Sequence, residues 1–346
     1  MRRCYFSRNY KNFTSAGSKA KTDIEKTMSM NEFINIGFEQ SSRKNKIAVF
    51  FIVLGGIIKT TFSLRKGDII VVQYPLKKYF TFICRMAHLR KAKVVTVIHD
   101  LGSFRRKKLT IPKEIKRIGH SDFIITHNQK MQDWLTANGC QCPMNNLEIF
   151  DFLSDNTAPL NDCIGHPRTV SYAGALNYRK NKFLYDLQDS ITSYRFDLYG
   201  GGFDEQNVSN KQAFNYKGFV HFEDLIKTPS GDFGLVWDGD SIDTCSGTFG
   251  EYLQYNNPHK TSLYIRCHLP VIIWKKAALA DFITSNKIGF TIDSLKELND
   301  KISAISDEEY SEMKTNATRI SSLIKEGHYF MQAYLDAEEY LSSKVG

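Results

Sequence analysis

Acidic residues are scarce in the first third of this 346-residue sequence. Residues 1–120 carry 7 Asp and Glu against 26 Lys and Arg, a net of +19, and the remainder carries 30 against 20, a net of −10. Such asymmetry implies that one half meets a polyanion or an anionic surface: nucleic acid, membrane or a phosphorylated substrate. A solvated basic face without a partner is the alternative. Zinc-ligand spacings and nucleic-acid modules are lacking, so no nucleic acid is expected. Aromatic residues interleave with the basic ones, as in Tyr79-Phe80 beside Lys77-Lys78, which is also the pattern of a membrane-contact helix. The seven cysteines, at 4, 84, 140, 142, 163, 245 and 267, are scattered and odd in number. That argues against a disulfide framework and for a reducing compartment. Cys140-Gln141-Cys142 lacks the spacing of a redox pair and has no companion pair for zinc. The apolar run from Ile47 to Ile58, flanked by Lys44, Lys46 and Lys59, is shorter than the roughly 20 residues a bilayer span needs. It also lies too far from the N-terminus for a signal peptide. A buried helix is the expectation, and contact with the membrane is compatible with it. With no export signal visible, a cytoplasmic protein is expected.

Length implies two domains, and the hydrophobic (42%) and charged (24%) fractions are those of an ordinary globular protein. In the first half, Asp68–Tyr74, Lys93–Ile98 and Asp122–Thr126 read as strands. Helical patterns over Lys77–Arg90 and about Asn128–Ala137 alternate with them. After a polar interval the pattern restarts. Thr169–Gly174, Phe196–Tyr199, Phe233–Trp237, Val271–Trp274 and Ile288–Ile292 are strands, with helices from about Asn181 and from about Asp307. Nearly continuous apolar strands alternating with helices imply parallel sheets covered on both faces. The expected organisation is a basic N-terminal domain (1–153), a linker (154–168), a second domain (169–325) and a terminal helix (326–346).

Asn256-Asn257-Pro258-His259-Lys260-Thr261 opens a helix, with Asn257 suited to the N-cap and Pro258 to the first helical position. His259 and Lys260 then fall in the first turn, where free N–H groups and the helix dipole favour an anion. Cations avoid that end, so Lys260 there suggests a doubly charged ligand such as a diphosphate. An ordinary capped helix is the alternative.

Phe233-Gly234-Leu235-Val236-Trp237-Asp238-Gly239-Asp240, Thr244-Cys245-Ser246-Gly247, Asn256–Tyr264 and Ala277–Phe282 together resemble the bacterial β-1,6-galactofuranosyltransferases of O-antigen assembly. More distantly they resemble the glucosyltransferases that extend glycans on serine-rich adhesins. The resemblance implies an α/β GT-B architecture, two doubly wound Rossmann-like domains facing a cleft. It also implies a last helix crossing back to the first domain, and a UDP-sugar as donor substrate. In such sheets ligands bind beyond the carboxyl ends of the strands.

Candidate residues sit at those ends. Asp100, after the second strand, is the expected base for an acceptor hydroxyl, with His99 orienting it or taking that role. A helix cap is the alternative for Asp100. Asp23 is a further candidate base, or the first charge on a solvated helix face. Gly17, in the loop Thr14–Lys19, resembles a ligand-facing position, although the segment is no Walker motif; a plain capped helix start is the equal alternative. Gly174 permits close approach, and Arg179 or Lys180 can reach a diphosphate. Gly200-Gly201-Gly202 reads as a flexible turn that could admit a uracil ring. Trp237 and Asp238 end a cleft-facing strand, Asp238 accepting sugar hydroxyls. The donor site is thus expected from Gly17, Gly174, Arg179, Lys180, Trp237, Asp238, Asn257, His259 and Lys260. Cys245 and Cys267 read as packing residues. Asp238-Gly239-Asp240 has the letters of a metal motif, but no metal or other cofactor is expected, since cations and a helix dipole can stabilise the departing diphosphate. The expected acceptor is a lipid-linked oligosaccharide at the inner face of an anionic cytoplasmic membrane, and a homo-oligomer is compatible with the sequence. The alternatives are a UDP-glucose-type hexosyltransferase acting on a glycoprotein and a non-catalytic sugar- or nucleic-acid-binding protein.

Overall fold

The computed structural model describes residues 1–10, 16–76, 79–104, 109–160 and 166–344. The chain forms two units, Met1–Asp151 with Glu326–Gly346, and Phe152–Lys325.

Unit 1 contains six strands, β1 (Arg3–Tyr5), β2 (Ile34–Asn35), β3 (Ile69–Tyr74), β4 (Lys93–Ile98), β5 (Phe123–Thr126) and β6 (Met144–Asn146). Its first helices are α1 (Ala16–Met30), α2 (Lys46–Ser63), α3 (Phe80–Leu89), α4 (Ile111–Ile118) and α5 (Gln129–Ala137). The sheet order is β2-β1-β3-β4-β5-β6, every pairing parallel. All six residues of β3 are buried, because alternate side chains enter two cores. Ile70, Val72, Val94 and Ile124 join Ile57 of α2, Ile83 of α3 and Leu135 of α5. Ile69, Val71, Val95 and Ile125 join Ile24 of α1 and the C-terminal helix on the other face. Burial on both faces explains strands that read as continuous apolar runs.

In the chain, the second unit lies between the first 151 residues and the C-terminal helix of unit 1. That unit has β7 (Thr169–Ala173), β8 (Arg195–Tyr199), β9 (Asn215–Tyr216), β10 (Phe233–Val236), β11 (Val271–Trp274) and β12 (Gly289–Ile292). Its helices are α6 (Phe183–Leu187), α7 (Phe222–Lys227), α8 (Gly247–Tyr252), α9 (His259–Arg266), α10 (Ala280–Ser285), α11 (Leu298–Ala304) and α12 (Asp307–Lys325). The order is β12-β11-β10-β7-β8-β9, again all parallel. The last helix, α13 (His328–Ser343), belongs to unit 1. It buries Phe330, Ala333, Tyr334, Ala337 and Leu341, a helical-period stripe. The Asp151 carboxylate accepts the N–H groups of Tyr329 (3.2 Å) and Phe330 (2.8 Å) at its start. Arg3 clamps Glu338 through two bonds of 2.8 and 2.6 Å.

Three readings of the sequence are corrected. The interval from 154 is not a free linker where it is described. Arg266 donates to the Asn156 carbonyl at 2.6 Å, Asn156 to Glu223 at 3.0 Å, and Ser154 also bonds Glu223, so the segment is seated within unit 2. The part from Asn161 to Gly165 lies outside the described residues. Secondly, α2 extends the apolar run to 18 residues, long and apolar enough to cross a membrane by length and composition. It is not a buried helix, since only Gly56, Ile57, Thr60 and Thr61 are buried. Thirdly, Ala16–Lys19 begins α1, as the helix-start alternative has it, and is no loop; Thr14 and Ser15 lie outside the described residues, as do Lys77 and Lys78.

Candidate functional site

In unit 2 the chain runs from β7 outward to β8 and β9, then returns to place β10, β11 and β12 on the other side. The strand order therefore reverses between β7 and β10, and the crevice beyond their carboxyl ends is where such sheets take ligands. Gly174 follows β7 and is exposed there. Trp237 and Asp238 follow β10. Lys260, in the first turn of α9, donates to Asp238 Oδ1 (3.0 Å), to the Trp237 carbonyl (3.2 Å) and to Tyr172 Oη (3.1 Å). Its Nζ lies 4.3 Å from the Tyr172 ring centroid. Tyr172 Oη itself donates to Asp238 at 3.1 Å. Burial, then the neighbouring Asp238, pushes the Tyr172 phenol well up, so it stays protonated as a donor.

Two local features bring α9 to this point. Gly234 of β10 has no side chain, and a Cβ there would lie 2.2 Å from the Tyr264 ring. The ring therefore crosses the strand closely, and its hydroxyl accepts the Ala173 N–H at 2.7 Å. That bond anchors α9 to the end of β7. The second feature is the turn after β8. Gly200 has φ +145°, and a Cβ there would meet the Gly174 carbonyl oxygen at 1.7 Å. With Leu176 N–H donating to the Gly201 carbonyl at 2.9 Å and Gly200 N–H to Gly218 at 2.8 Å, the triple glycine is a tied turn, not the flexible one expected.

The structure corrects other donor-site expectations. Asn257 is not the N-cap: α9 starts at His259 with Pro258 in extended conformation before it, and Asn257 is buried outside the helix. The cation at the positive end of the dipole already has an anion, Asp238. The Trp237 ring is fully buried, its Nε1 donating to the Ser241 carbonyl at 3.0 Å; its carbonyl accepts from Lys260. His259 stacks on Phe152 at 4.7 Å. Arg179 is exposed, and Lys180 places its amine 5.0 Å from the Phe249 ring. Cys245 and Cys267 are packing residues, and burial pushes the Cys267 thiol up to about 12.

In unit 1 the strand order reverses between β1 and β3. His99 and Asp100, both half-buried, follow β4. His99 Nε2 lies 2.6 Å from Gln73 Oε1. The Gln73 amide nitrogen donates to the Lys21 carbonyl (3.2 Å) and faces Glu25 Oε1 (3.5 Å), so its oxygen must be the end that meets His99. Nε2 therefore carries the proton. His99 also stacks on Phe150 at 5.5 Å. The turn after Asp100 is pinned by buried Glu114, which accepts Gly102 N–H (2.9 Å), Ser103 N–H (2.7 Å) and Tyr74 Oη (2.7 Å). Asp100 is not the N-cap of the next described helix, since α4 has Thr110 at that position. Lys19 and Asp23 are buried and paired at 2.5 Å, so Asp23 is not on a solvated face. Gly17 is exposed in the first turn of α1 and belongs to unit 1, whereas the other donor candidates belong to unit 2. Sequence reasoning missed Tyr172, Tyr264, Gln73 and Glu114 as site-forming residues. Among the described residues no three His, Cys, Asp or Glu side chains converge as a metal site.

Profiles of the two domains described as "Glucosyltransferase 3-like" match this chain, the N-terminal domain over residues 3–149 and the C-terminal domain over 170–337. The chain belongs to the Glucosyltransferase 3-like family. It is 36% identical over 283 residues to the β-1,6-galactofuranosyltransferase WbbI of Escherichia coli (strain K12), covering 80% of this chain and 82% of that one. It is 25% identical over 284 residues to Glucosyltransferase 3 of Streptococcus gordonii, covering 80% of each. Among solved structures it is similar to Anabaena Alr3699/HepE in complex with UDP-glucose, with TM-score 0.62 and 13% identity, over 99% of this chain and 100% of that one. It is also similar to WaaG, a glycosyltransferase involved in lipopolysaccharide biosynthesis, with TM-score 0.54 and 9% identity, over 96% and 98%. These likenesses show the GT-B fold. This family member is a glycosyltransferase, as the strings from Phe233 onward implied, and not a non-catalytic binding protein.

Proposed function

We propose that this enzyme moves galactofuranose from UDP-galactofuranose to a hydroxyl of a lipid-linked oligosaccharide, with inversion and without a metal, at the inner face of the cytoplasmic membrane. The observation that carries the reading is the Lys260–Asp238–Tyr172 cluster at the strand-order reversal of unit 2, beside exposed Gly174. The named function of the WbbI relative supports the donor sugar. In this reading the α9 N-terminus with Lys260, Arg179 and Lys180 meets the diphosphate, and Asp238 accepts sugar hydroxyls. Fixed cations and the helix dipole then stabilise the charge developing on departing UDP. Asp100 takes the proton of the acceptor hydroxyl as its oxygen attacks the anomeric carbon from the face opposite UDP. The bond to UDP breaks with its electron pair leaving on the diphosphate. His99 is next in line as base.

A second reading is glucose transfer from UDP-glucose to a glycoprotein, for which the name of the Streptococcus gordonii relative supports the glucosyl group alone. A panel of UDP-sugars offered to the purified full chain in EDTA, with UDP release followed, separates the two. UDP-galactofuranose should give the fastest release, undiminished by the chelator. Asp100→Asn should lower kcat by about 10²–10⁴ with UDP affinity unchanged. Preference for UDP-glucose would establish the second reading, and activity restored only by Mg²⁺ or Mn²⁺ would return Asp238 and Asp240 to a metal site.

A further inference from the structure

Helix α2 is seated on unit 1 by a narrow stripe and exposes most of the rest. Gly56, Ile57, Thr60 and Thr61 face the core. The two threonine hydroxyls are satisfied within the helix, donating to the Gly56 and Ile57 carbonyls at 2.8 and 2.9 Å. The opposite side carries Ile47 (71% exposed), Phe51 (64%), Ile58 (47%) and Phe62 (72%). Their spacings of four, seven and four residues put them on one face, along a helix about 27 Å long. Phe50 widens the stripe at 45% exposure. On α3, which packs beside α2, Phe82 and Leu89 are exposed too, at 47% and 74%. A contiguous apolar surface of large side chains is not ordinary surface composition and marks an interaction site.

Charge around the stripe selects the partner. From Gln40 to His99 the chain carries twelve Lys and Arg and one acid, Asp68. That acid is buried and paired with Arg2 at 2.6 Å, so it cancels none of the surface charge. Exposed Arg43, Lys44 and Lys46 stand at the start of α2, and exposed Arg65 and Lys66 stand just past its end. Lys59 lies along its flank, its amine 5.4 Å from the Phe38 ring, and the Arg90 guanidinium lies 5.8 Å from the Phe62 ring. Aromatic and aliphatic side chains framed by cations and free of acids match a layer that is apolar inside and anionic at its surface. A nucleic acid would not take the apolar stripe, and a second copy of this chain would set two cationic frames against each other.

We propose that α2, with the exposed edge of α3, docks this enzyme on an anionic lipid bilayer, lying in the interface plane with Ile47, Phe51, Ile58 and Phe62 among the acyl chains. The proposal rests on the reading of a lipid-linked acceptor and adds the surface that meets the membrane. Because the buried stripe holds α2 against the core of unit 1, the helix lies on the bilayer and does not span it.

The test is flotation of the purified full chain with phosphatidylcholine vesicles that contain or lack phosphatidylglycerol, at low and high salt. Wild type should bind the anionic vesicles, and binding should weaken as salt rises. Phe51→Ser with Phe62→Ser should reduce binding at least about tenfold, and Arg65→Gln with Lys66→Gln should lower it on anionic vesicles only. UDP affinity by calorimetry and the melting temperature are followed for each variant, and both should be unchanged. Undiminished vesicle binding by the Phe variant, equal binding to neutral vesicles, or resistance of the bound protein to alkaline extraction would overturn the proposal. So would a wild-type dimer in sedimentation that the Phe variant converts to a monomer, which would assign the patch to a second copy. A chain that floats as expected but fails to bind UDP would instead defeat the functional reading and leave the docking surface standing.

Discussion

Lys260 occupies a position in the first turn of a helix where a cation is ordinarily disfavoured. The protein answers with Asp238 at 3.0 Å and with two neutral acceptors, so all three ammonium protons are placed. A diphosphate arriving there would meet an amine held in a fixed direction, which reduces the ordering cost of binding. Lys260→Ala is expected to weaken UDP binding by roughly 1.5–3 kcal/mol, the scale of a charge-assisted contact. Calorimetry checks this, and unchanged affinity beside a lowered melting temperature would make the lysine a partner of Asp238 alone. Lys260, Asp238 and Gly174 were legible because each follows a strand or starts a helix. Tyr172 and Tyr264 were not. A tyrosine in or beside a buried element reads as packing, and only the folded chain shows its hydroxyl at Asp238 or at the Ala173 N–H.

At the scale of elements, the position of α9 depends on a close approach. The Tyr264 ring crosses β10 at Gly234, and the helix follows its ring. Gly234→Ala should cost about 1–3 kcal/mol through overpacking and should weaken UDP binding as α9 moves. Urea unfolding with calorimetry tests both, and normal values for each would show that α9 has another anchor. The long strands were readable because both their faces are buried. The strands β1, β2, β6 and β9 were not, since two or three residues carry no measurable period. Helix α2 shows the converse limit: its apolar run was plain, but hydrophobicity alone does not say which face a fold will cover.

The whole molecule buries histidines that must be neutral. Burial brings His127 in unit 1 down to about 3 and His268 in unit 2 down to about 4, the latter aided by nearby Arg266 and Lys314. The unfolded chain, with histidine at its ordinary 6.5, binds more protons between these values. The stability is therefore full above pH 6.5 and is lost as pH falls toward 4. Between pH 7 and 5 each histidine should remove up to about 2 kcal/mol. Urea unfolding at the two values should show the loss, and His127→Gln with His268→Gln should flatten it; equal slopes would place the acid sensitivity elsewhere.

The sequence by itself determined the parallel α/β class, the division into two domains and the family, because strand runs, helix periods and the strings from Phe233 onward are local properties. Tertiary structure decided what depends on residues far apart in the chain. It returned α13 to the first unit, where its apolar stripe meets β5 and β6. It drew the interval after Asp151 onto Glu223 and Arg266. It set Asp238 opposite Lys260, and it left the Phe51 and Phe62 side of α2 uncovered. Each of these outcomes follows from which faces pack together, and that is settled by the complementary surfaces of the assembled chain.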